Sequence, residues 1–352
     1  MTEKLDPETR VRQLFTPPAI LHSEAMDDQL DRLAAFIDSA LTEETHLSPE
    51  CLAFVRAGKR LRAQLLLASS DESCVVSDGN VIRAAAAIEF VHAASLLHDD
   101  IVDQCDERRG HPALHRTQGI EAATFAGTHL VHLALSLVAD LPELARLRIA
   151  EAGQQLARGQ FLELMHAGDL TASPEERLAI MRLKTATVFS LACELGSMLA
   201  GEDYARSVVR RRFGEAFGVL FQVADDVDDL FASATEQGRA PATDLRCAVM
   251  SFPIIFALRT SAKRHVRRLL ESSGIPVGAA TALCRELVRS SGALARTVEV
   301  ATGYALEARD HLAALPATGG SQWMAALVDA TMARITRFAT GGYERTSEFG
   351  TQ

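Results

Sequence analysis

Two clusters of aspartate, each at the end of an apolar run, are the residues of this sequence best placed to do chemistry. Residues 84–98 read AAAAIEFVHAASLLH and lead directly into Asp99, Asp100 and Asp103. At about 3.6 residues per turn Asp99 and Asp103 share a helix face, where like charges repel and burial adds a desolvation cost. A divalent cation removes that cost, and carboxylate oxygens suit Mg²⁺. Taken alone, this cluster is equally compatible with a solvated helix end.

The second cluster repeats the spacing of the first. Residues 217–231 read FGVLFQVADDVDDLF, so Asp225, Asp226 and Asp229 stand at i, i+1 and i+4, with Asp228 as an extra acid. Two such triplets, well apart in sequence, are poorly explained as chance surface charge. If the two helices face each other, six carboxylates converge on a cavity that holds Mg²⁺ ions and, through them, a polyphosphate. We therefore favour such a site over solvent-exposed charge.

Basic residues near the acids are candidate phosphate ligands. The stretch 58–62 (GKRLR) precedes a helical run, and 107–110 (ERRG) follows the first cluster. Arginine and lysine are the usual partners of phosphate oxygens, although either motif alone is ordinary surface basicity. Lys184 lies on an otherwise apolar helix. His92 lies seven residues before Asp99, on nearly the same face, where a lone histidine is usually a satisfied core residue.

Helices are the elements that must position these residues. Runs rich in Ala and Leu with apolar residues at helical spacing occupy 81–104, 124–140, 174–200 and 207–231. Alternation typical of strands is scarce. Ser173, followed by proline and two glutamates, predicts a helix start. The sequence predicts one all-α domain over 20–337, an N-terminal arm over 1–19 and a polar C-terminal tail over 338–352.

Composition and charge narrow the classes of function. The 352 residues are 48% hydrophobic and 23% charged, which suits a folded globular protein and excludes disorder as the main state. Because the net charge is −10, an overall basic surface for nucleic acid is not expected. No run reaches the roughly 18 apolar residues of a membrane span, and the first residues lack a secretory apolar core. Six scattered cysteines fit reduced thiols, so we expect a cytoplasmic protein.

These motifs resemble those of the all-trans isoprenyl diphosphate synthases, also called the polyprenyl synthetase family. The matching stretches occur in the family's order, and the resemblance covers roughly residues 20–337: GKRLR at 58–62, HAASLLHDDIVD at 92–103, ERRG at 107–110, KTA at 184–186 and FQVADDVDD at 221–229. The resemblance implies a bundle of antiparallel helices around a deep apolar cavity, of the isoprenoid synthase type. It also implies a homodimer.

Carried over position by position, the resemblance implies several groups of site residues. Those implied to hold Mg²⁺, as three ions with diphosphate bound, are Asp99, Asp103 and Asp225, supported by Asp100, Asp226 and Asp229. Those implied to contact the allylic diphosphate are Arg108 and Lys184. Those implied to bind isopentenyl diphosphate are Lys59, Arg62, His92 and Arg109. Those matching residues beside the reacting carbons are Thr185 and Gln222.

The implied reaction is ionisation of an allylic diphosphate (geranyl, farnesyl or geranylgeranyl), attack by the double bond of isopentenyl diphosphate, and loss of a proton. Cations stabilise charge on the departing diphosphate, and an apolar cavity shelters the carbocation from water. Two alternatives stay open. One is a terpene cyclase on the same scaffold, which the retained residues for isopentenyl diphosphate argue against. The other is a non-catalytic subunit of a heteromeric synthase, which the intact acidic clusters argue against.

Three positions depart from the family pattern. Val249 stands where a lysine on the diphosphate is expected, so we expect one cation fewer at the allylic site. Arg239, in GRAPATDL, stands where another lysine is common and can serve in its place as a substrate ligand. Thr128 follows Gly127 where the family often has Gly-Asp.

Small residues near the first cluster predict a long product. In the family, bulky aromatics four or five positions before the first aspartate close the cavity. Here those positions are Ser95 and Ala94, and Val91 lies further along the same helix. These three residues form the predicted chain-length pocket, and the expected product is C20 or longer.

Overall fold

The Ala- and Leu-rich runs of the sequence fold into helices. The structure, a computed structural model, describes residues 24–44, 46–70, 78–108, 110–233, 242–246, 249–271 and 277–339. Arg109, Arg239, the predicted arm over 1–19 and most of the predicted tail lie outside these residues. Within them, one short hairpin is the only strand structure. The predicted all-α class is therefore confirmed.

The elements of the first half of the chain are α1 (Glu24–Thr42), α2 (Pro49–Arg56), α3 (Leu61–Ser69), α4 (Asp78–Val102), β1 (Glu107–Arg108), β2 (His111–Pro112), α5 (Leu114–Gln118), α6 (Ile120–Leu137) and α7 (Glu143–Met165). The elements of the second half are α8 (Pro174–Met181), a π segment (Arg182–Ala186), α9 (Thr187–Leu199), α10 (Tyr204–Phe231), α11 (Thr243–Arg246), α12 (Phe252–Ala257), α13 (Lys263–Glu271), α14 (Val277–Ser290), α15 (Ala293–Ala313) and α16 (Gly319–Thr336). The start of α8 at Ser173 is confirmed, because Ser173 and Glu176 form a reciprocal capping box.

The core lies where α9 packs between the two aspartate-bearing helices, α4 and α10. Helix α9 also packs along α3, and α10 packs along α15. Helix α4 is long and apolar enough to cross a membrane by length and composition, but 67% of its apolar window is buried inside the bundle. That burial is what a core helix requires, so α4 needs no membrane to cover its surface.

Two glycines allow helices to approach the π segment closely. A Cβ atom added at Gly218, on α10, would lie 2.5 Å from the Cα atom of Ala186. One added at Gly159, on α7, would lie 2.8 Å from the backbone nitrogen of Lys184. Helices α7 and α10 therefore hold the π segment between them by backbone contact. Such segments are frequent at functional sites, and this one carries Lys184.

We predict that Gly218→Ala lowers the free energy of unfolding by about 1–3 kcal/mol, because the added methyl group must displace backbone atoms. The matched control is Gly153→Ala on α7, where an added Cβ atom meets nothing within 4 Å. The control variant should be as stable as the wild type or slightly more stable. Urea unfolding of both variants measures this, and equal stability of the two would contradict the close packing.

Candidate functional site

The last turns of α4 carry the first aspartate cluster into the site. Asp99 and Asp103 lie one turn apart and are half-buried. Burial raises the pKa of Asp99, and Lys184 offsets only part of that effect. Burial likewise raises the pKa of Asp103 to about 6. Both carboxylates are thus held where their charged form is costly without further positive charge.

Asp100 ties the β-hairpin to the end of α4. Its carboxylate is buried and accepts a hydrogen bond from Nε of Arg108 at 2.7 Å. The hairpin therefore places Arg108 beside the first cluster. The second oxygen of Asp100 is buried with no hydrogen-bond partner among the described residues.

The second cluster meets two arginines from the C-terminal end of the described chain. Asp225, whose side chain is 37% exposed, accepts from Arg334 at 2.7 Å. The extra acid, Asp228, also accepts from Arg334 at 2.7 Å and from Arg337 at 3.0 Å. Helix α16 is therefore fastened to α10 by ion pairs at the site.

The other two acids of this cluster point into the protein. Asp226 accepts from Arg177 at 2.7 Å and, through its second oxygen, from the backbone N–H of Phe252 at 3.0 Å. Asp229 accepts from the backbone N–H groups of residues 243 and 244 at 3.2 and 3.0 Å. These carboxylates hold the chain that follows α10 against the site.

A row of alternating charges joins the two clusters. The ammonium of Lys184 lies 3.6 Å from Asp99 and donates to Glu163 on α7. Glu163 in turn accepts from Arg177 at 3.1 Å, and Arg177 donates to Asp226. Burial would lower the pKa of Lys184, but the charges of Asp99 and Glu163 outweigh it and raise that pKa. The row places both clusters in one site.

Sequence reasoning missed Glu163 and Arg177. Each reaches its partners across long stretches of chain, 21 residues from Glu163 to Lys184 and 49 from Arg177 to Asp226. Neither residue stands in a motif, and no periodic pattern reports a contact over such a distance. Their role became visible only in the folded chain.

On the side of α3, the basic residues of GKRLR are held in place individually. Arg62 lies 3.0 Å from Nε2 of His92, and its guanidinium stacks 4.7 Å from the ring centre of Phe189. Lys59 is exposed in the loop that precedes α3. Arg62 and His92, predicted to act together, are therefore neighbours.

Glu89 anchors this basic stretch to α4. It is buried, and it accepts from the backbone N–H of Ala63 at 3.1 Å and from Arg60 at 3.4 Å. Arg60 adopts a left-handed backbone (φ 53°) at the start of α3, which Glu89 helps to hold. Glu89 was also missed by sequence reasoning.

Comparison of the sequence and the fold with known proteins identifies the family of this chain. Residues 46–286 match the family model described as polyprenyl synthetase. The chain belongs to the polyprenyl synthetase family. It is a trans-prenyltransferase, as predicted.

Individual synthases cover most of the chain. The nonaprenyl diphosphate synthase of Mycobacterium tuberculosis is 34% identical over 307 residues, 86% of this chain and 91% of that protein. The crystal structure of a Caulobacter crescentus polyprenyl synthase, complexed with calcium and isoprenyl diphosphate, has a TM-score of 0.78 at 31% identity. It covers 87% of this chain and 97% of that one. A decaprenyl diphosphate synthase of Rhodobacter capsulatus has a TM-score of 0.79 at 27% identity, covering 94% and 99%.

In this synthase the two residues predicted to flank the reacting carbons contact each other. Thr185 donates to Oε1 of Gln222 at 2.7 Å, and Gln222 donates to Asp226 at 3.2 Å. The π segment therefore sets the position of Thr185 relative to α10. Of the predicted chain-length residues, Ala94 is buried in the core, whereas Val91 and Ser95 are half-buried. Their role stays a prediction.

Val249, where the family pattern has a lysine, lines one pocket of the synthase together with Glu163 and Arg177. Its backbone N–H donates to the carbonyl of Asp244 at 2.8 Å. Arg177, which also lines this pocket, has its guanidinium paired with Glu163 and Asp226.

We predict that Arg177→Met destabilises the synthase by about 3–5 kcal/mol, because it leaves the buried carboxylate of Asp226 without its cation, whereas Glu163 keeps Lys184. The control is Arg267→Met, which breaks an ion pair with Glu271 whose partners are both more than half exposed. That change should cost less than about 0.5 kcal/mol. Urea unfolding followed by circular dichroism measures both. A similar small effect in the two variants would show that Arg177 is not needed to neutralise the site.

Proposed function

We propose that this synthase condenses isopentenyl diphosphate with an allylic diphosphate, either geranyl, farnesyl or geranylgeranyl, to give an all-trans polyprenyl diphosphate of C20 or longer. The observation that carries the proposal is the union of the two aspartate clusters into one site through Lys184, Glu163 and Arg177. Relatives named for long products, such as the nonaprenyl synthase and the Haemophilus influenzae octaprenyl synthase (32% identical), support the length.

Enzymes of this family depend on Mg²⁺, and the carboxylates present fit that ion. Asp99, Asp103 and Asp225 are the proposed ligands, since they are the least buried acids of their clusters. Asp99 lies near Lys184, and Asp225 lies near Arg334. Burial raises the pKa of Asp99 and Asp103, so their charged form is costly there, and a divalent cation would stabilise it. When bound, Mg²⁺ would offset the charge of the diphosphate. We infer three ions from the family pattern.

The remaining acids support the ligands by holding cations and backbone. Asp100 orients Arg108, Asp226 orients Arg177, and Asp229 fixes the backbone after α10. Arg108 and Lys184 then face the departing diphosphate with preorganised positive charge. Arg177 lies in the same pocket as Val249, but its charge is already paired with Asp226 and Glu163, so the allylic site keeps one cation fewer than the family pattern has.

Isopentenyl diphosphate is proposed to bind on the α3 side of the site. Lys59, Arg62 and His92 are its ligands there, and Arg62 is held by its stacking on Phe189. From the sequence alone, Arg109 is also proposed as a ligand of isopentenyl diphosphate. Arg239 is proposed, likewise from the sequence, as a substrate ligand in place of the usual lysine. The presence of this second anion site favours a synthase over a terpene cyclase, which would need only the allylic diphosphate.

Aromatic and small side chains lie near the proposed path of the growing chain, with Phe189 fully buried and Phe221 half-buried. The rings of Phe189 and Phe221 lie with centres 5.1 Å apart between Arg62 and Arg334. Aromatic faces stabilise a nearby carbocation and exclude water from it. Ser95, one turn before Asp99, leaves room for the chain.

A homodimer is proposed from the apolar faces of α6 and α7. Large apolar side chains exposed on these two helices include Ile120, Phe125, Leu135, Leu147, Phe161 and Met165. Contiguous exposed apolar surface is typical of protein interfaces, and a two-fold axis would let two copies cover each other. We place the dimer in the cytoplasm, with isoprenyl diphosphates as its small-molecule partners.

We predict that Asp99→Ala and Asp225→Ala each nearly abolish turnover while helix content is unchanged, and that EDTA inactivates the wild type. Losing a metal-mediated contact to the diphosphate should cost several kcal/mol of transition-state stabilisation. The control is Asp140→Ala, whose side chain is 85% exposed and which should keep full activity. Initial rates with excess Mg²⁺ measure the effect. Near-normal rates in either cluster variant, or activity in EDTA, would remove the metal proposal.

We predict that labelled isopentenyl diphosphate is incorporated with farnesyl diphosphate as the starter, and that Ser95→Phe shortens the product by blocking the cavity. The control is Ala313→Phe, at an exposed position at the end of α15, which should leave product length unchanged. Chromatography of the dephosphorylated products measures chain length. Unextended farnesyl diphosphate, or the same products from Ser95→Phe, would contradict the proposed length. Cyclic hydrocarbons from an allylic diphosphate alone would instead support the cyclase.

A further inference from the structure

A second group of metal-ligand side chains lies away from the aspartate clusters. Glu44 and His46 come from the loop between α1 and α2, and His129 comes from α6. One carboxylate oxygen of Glu44 lies 2.6 Å from Nε2 of His129 and 3.4 Å from Nε2 of His46. The three donor atoms lie within 4.8 Å of one another. None of these residues takes part in the proposed reaction.

Two imidazoles and one carboxylate form a donor set that suits zinc. Bonds of about 2.0–2.2 Å in a tetrahedral site place the ligand atoms roughly 3.3–3.5 Å apart. The separation of Glu44 from His46 is already 3.4 Å. The contact to His129 at 2.6 Å is a hydrogen bond that must open by less than about 1 Å for both atoms to ligate one ion. A side-chain rotation is enough for that.

The elements that carry these ligands are well anchored. Leu41 and Leu47, on either side of the loop, are buried in the core. Ser48 caps α2, and Gln118 donates to its hydroxyl at 2.5 Å. Next to His129 on α6, Leu130 is fully buried. Ligands on supported backbone lose little entropy when a metal binds.

The carboxylate of Glu44 has no arginine or lysine partner among the described residues. Its side chain is only 15% exposed, and its ion-pair partners are the two imidazoles. Zinc binds imidazole in its neutral form, so a divalent ion held by the three side chains would supply the positive charge that faces this partly buried carboxylate. The side chain of His46, 61% exposed, leaves the fourth position open to water.

We propose that Glu44, His46 and His129 form a Zn²⁺ site with a water as fourth ligand. The ion joins the loop after α1 to α6, and α6 packs against α4. We assign the ion no part in the prenyltransferase reaction, because no reacting group of the proposed function lies in the cluster. It therefore stands or falls independently of the prenyltransferase reaction.

Titration calorimetry of the full chain with Zn²⁺ tests the site. The protein is first dialysed against a chelator and then kept in millimolar Mg²⁺, so that the aspartate clusters are occupied. We expect one Zn²⁺ per chain and a rise in melting temperature on binding. His129→Ala and His46→Ala should each weaken this binding at least tenfold. The matched control is His132→Ala, an exposed histidine on the same helix that bonds the carbonyl of Thr128, and it should bind as the wild type does.

His46→Ala keeps the test decisive if His129→Ala does not fold, because His46 is exposed and its loss leaves the core intact. A Co²⁺ titration adds a spectroscopic check, since nitrogen and oxygen ligation gives no thiolate charge-transfer band, whereas binding through a cysteine does. No Zn²⁺ binding, unchanged affinity in His46→Ala, or a thiolate band would overturn the proposal. These outcomes do not depend on prenyltransferase activity.

Discussion

Carboxylates taken out of water must meet positive charge, and this requirement accounts for most of the arrangement around the two aspartate clusters. Glu163 and Arg177 have no motif of their own, yet they complete the alternating row that runs from Asp99 to Asp226. Each charge in the row has an opposite charge on at least one side. The buried acids Asp100, Asp226 and Asp229 therefore hold neighbouring groups in place. The less buried acids Asp99, Asp103 and Asp225 are the proposed metal ligands.

The backbone of the π segment positions Lys184, one member of this row of charges. An i→i+5 hydrogen bond from Thr187 to Arg182 widens the helix where Lys184 leaves it. Gly159 and Gly218 let α7 and α10 press on that widened turn from two sides. Lys184 and Thr185 are consequently positioned by main-chain packing, which is stiffer than side-chain contacts alone.

What the sequence could reveal was local. The aspartate triplets, the Ser173 cap and the helical runs are short-range patterns, and the helices and the cap were predicted from them. Glu89, Arg177 and Arg334 were not predicted, because their partners lie 26 to 109 residues away. Hydrophobic periodicity predicts which face of a helix is buried, but it does not predict which charged residue of another helix contacts that face. The family resemblance predicted the candidate metal and substrate ligands. The structure identified the arginines, such as Arg177 and Arg334, that pair with the aspartates.

The ion pairs from Arg334 and Arg337 to α10 affect the order in which the chain folds during its synthesis. Asp225 leaves the ribosome 109 residues before the arginine that neutralises it. At a synthesis rate of roughly 5–20 residues per second, about 5–20 s pass before Arg334 is made. Until then Asp225 and Asp228 lack this partner, whereas Asp226 already has Arg177. Nascent chains halted before α16 would therefore leave the carboxylates of Asp225 and Asp228 at the end of α10 without their arginine partners.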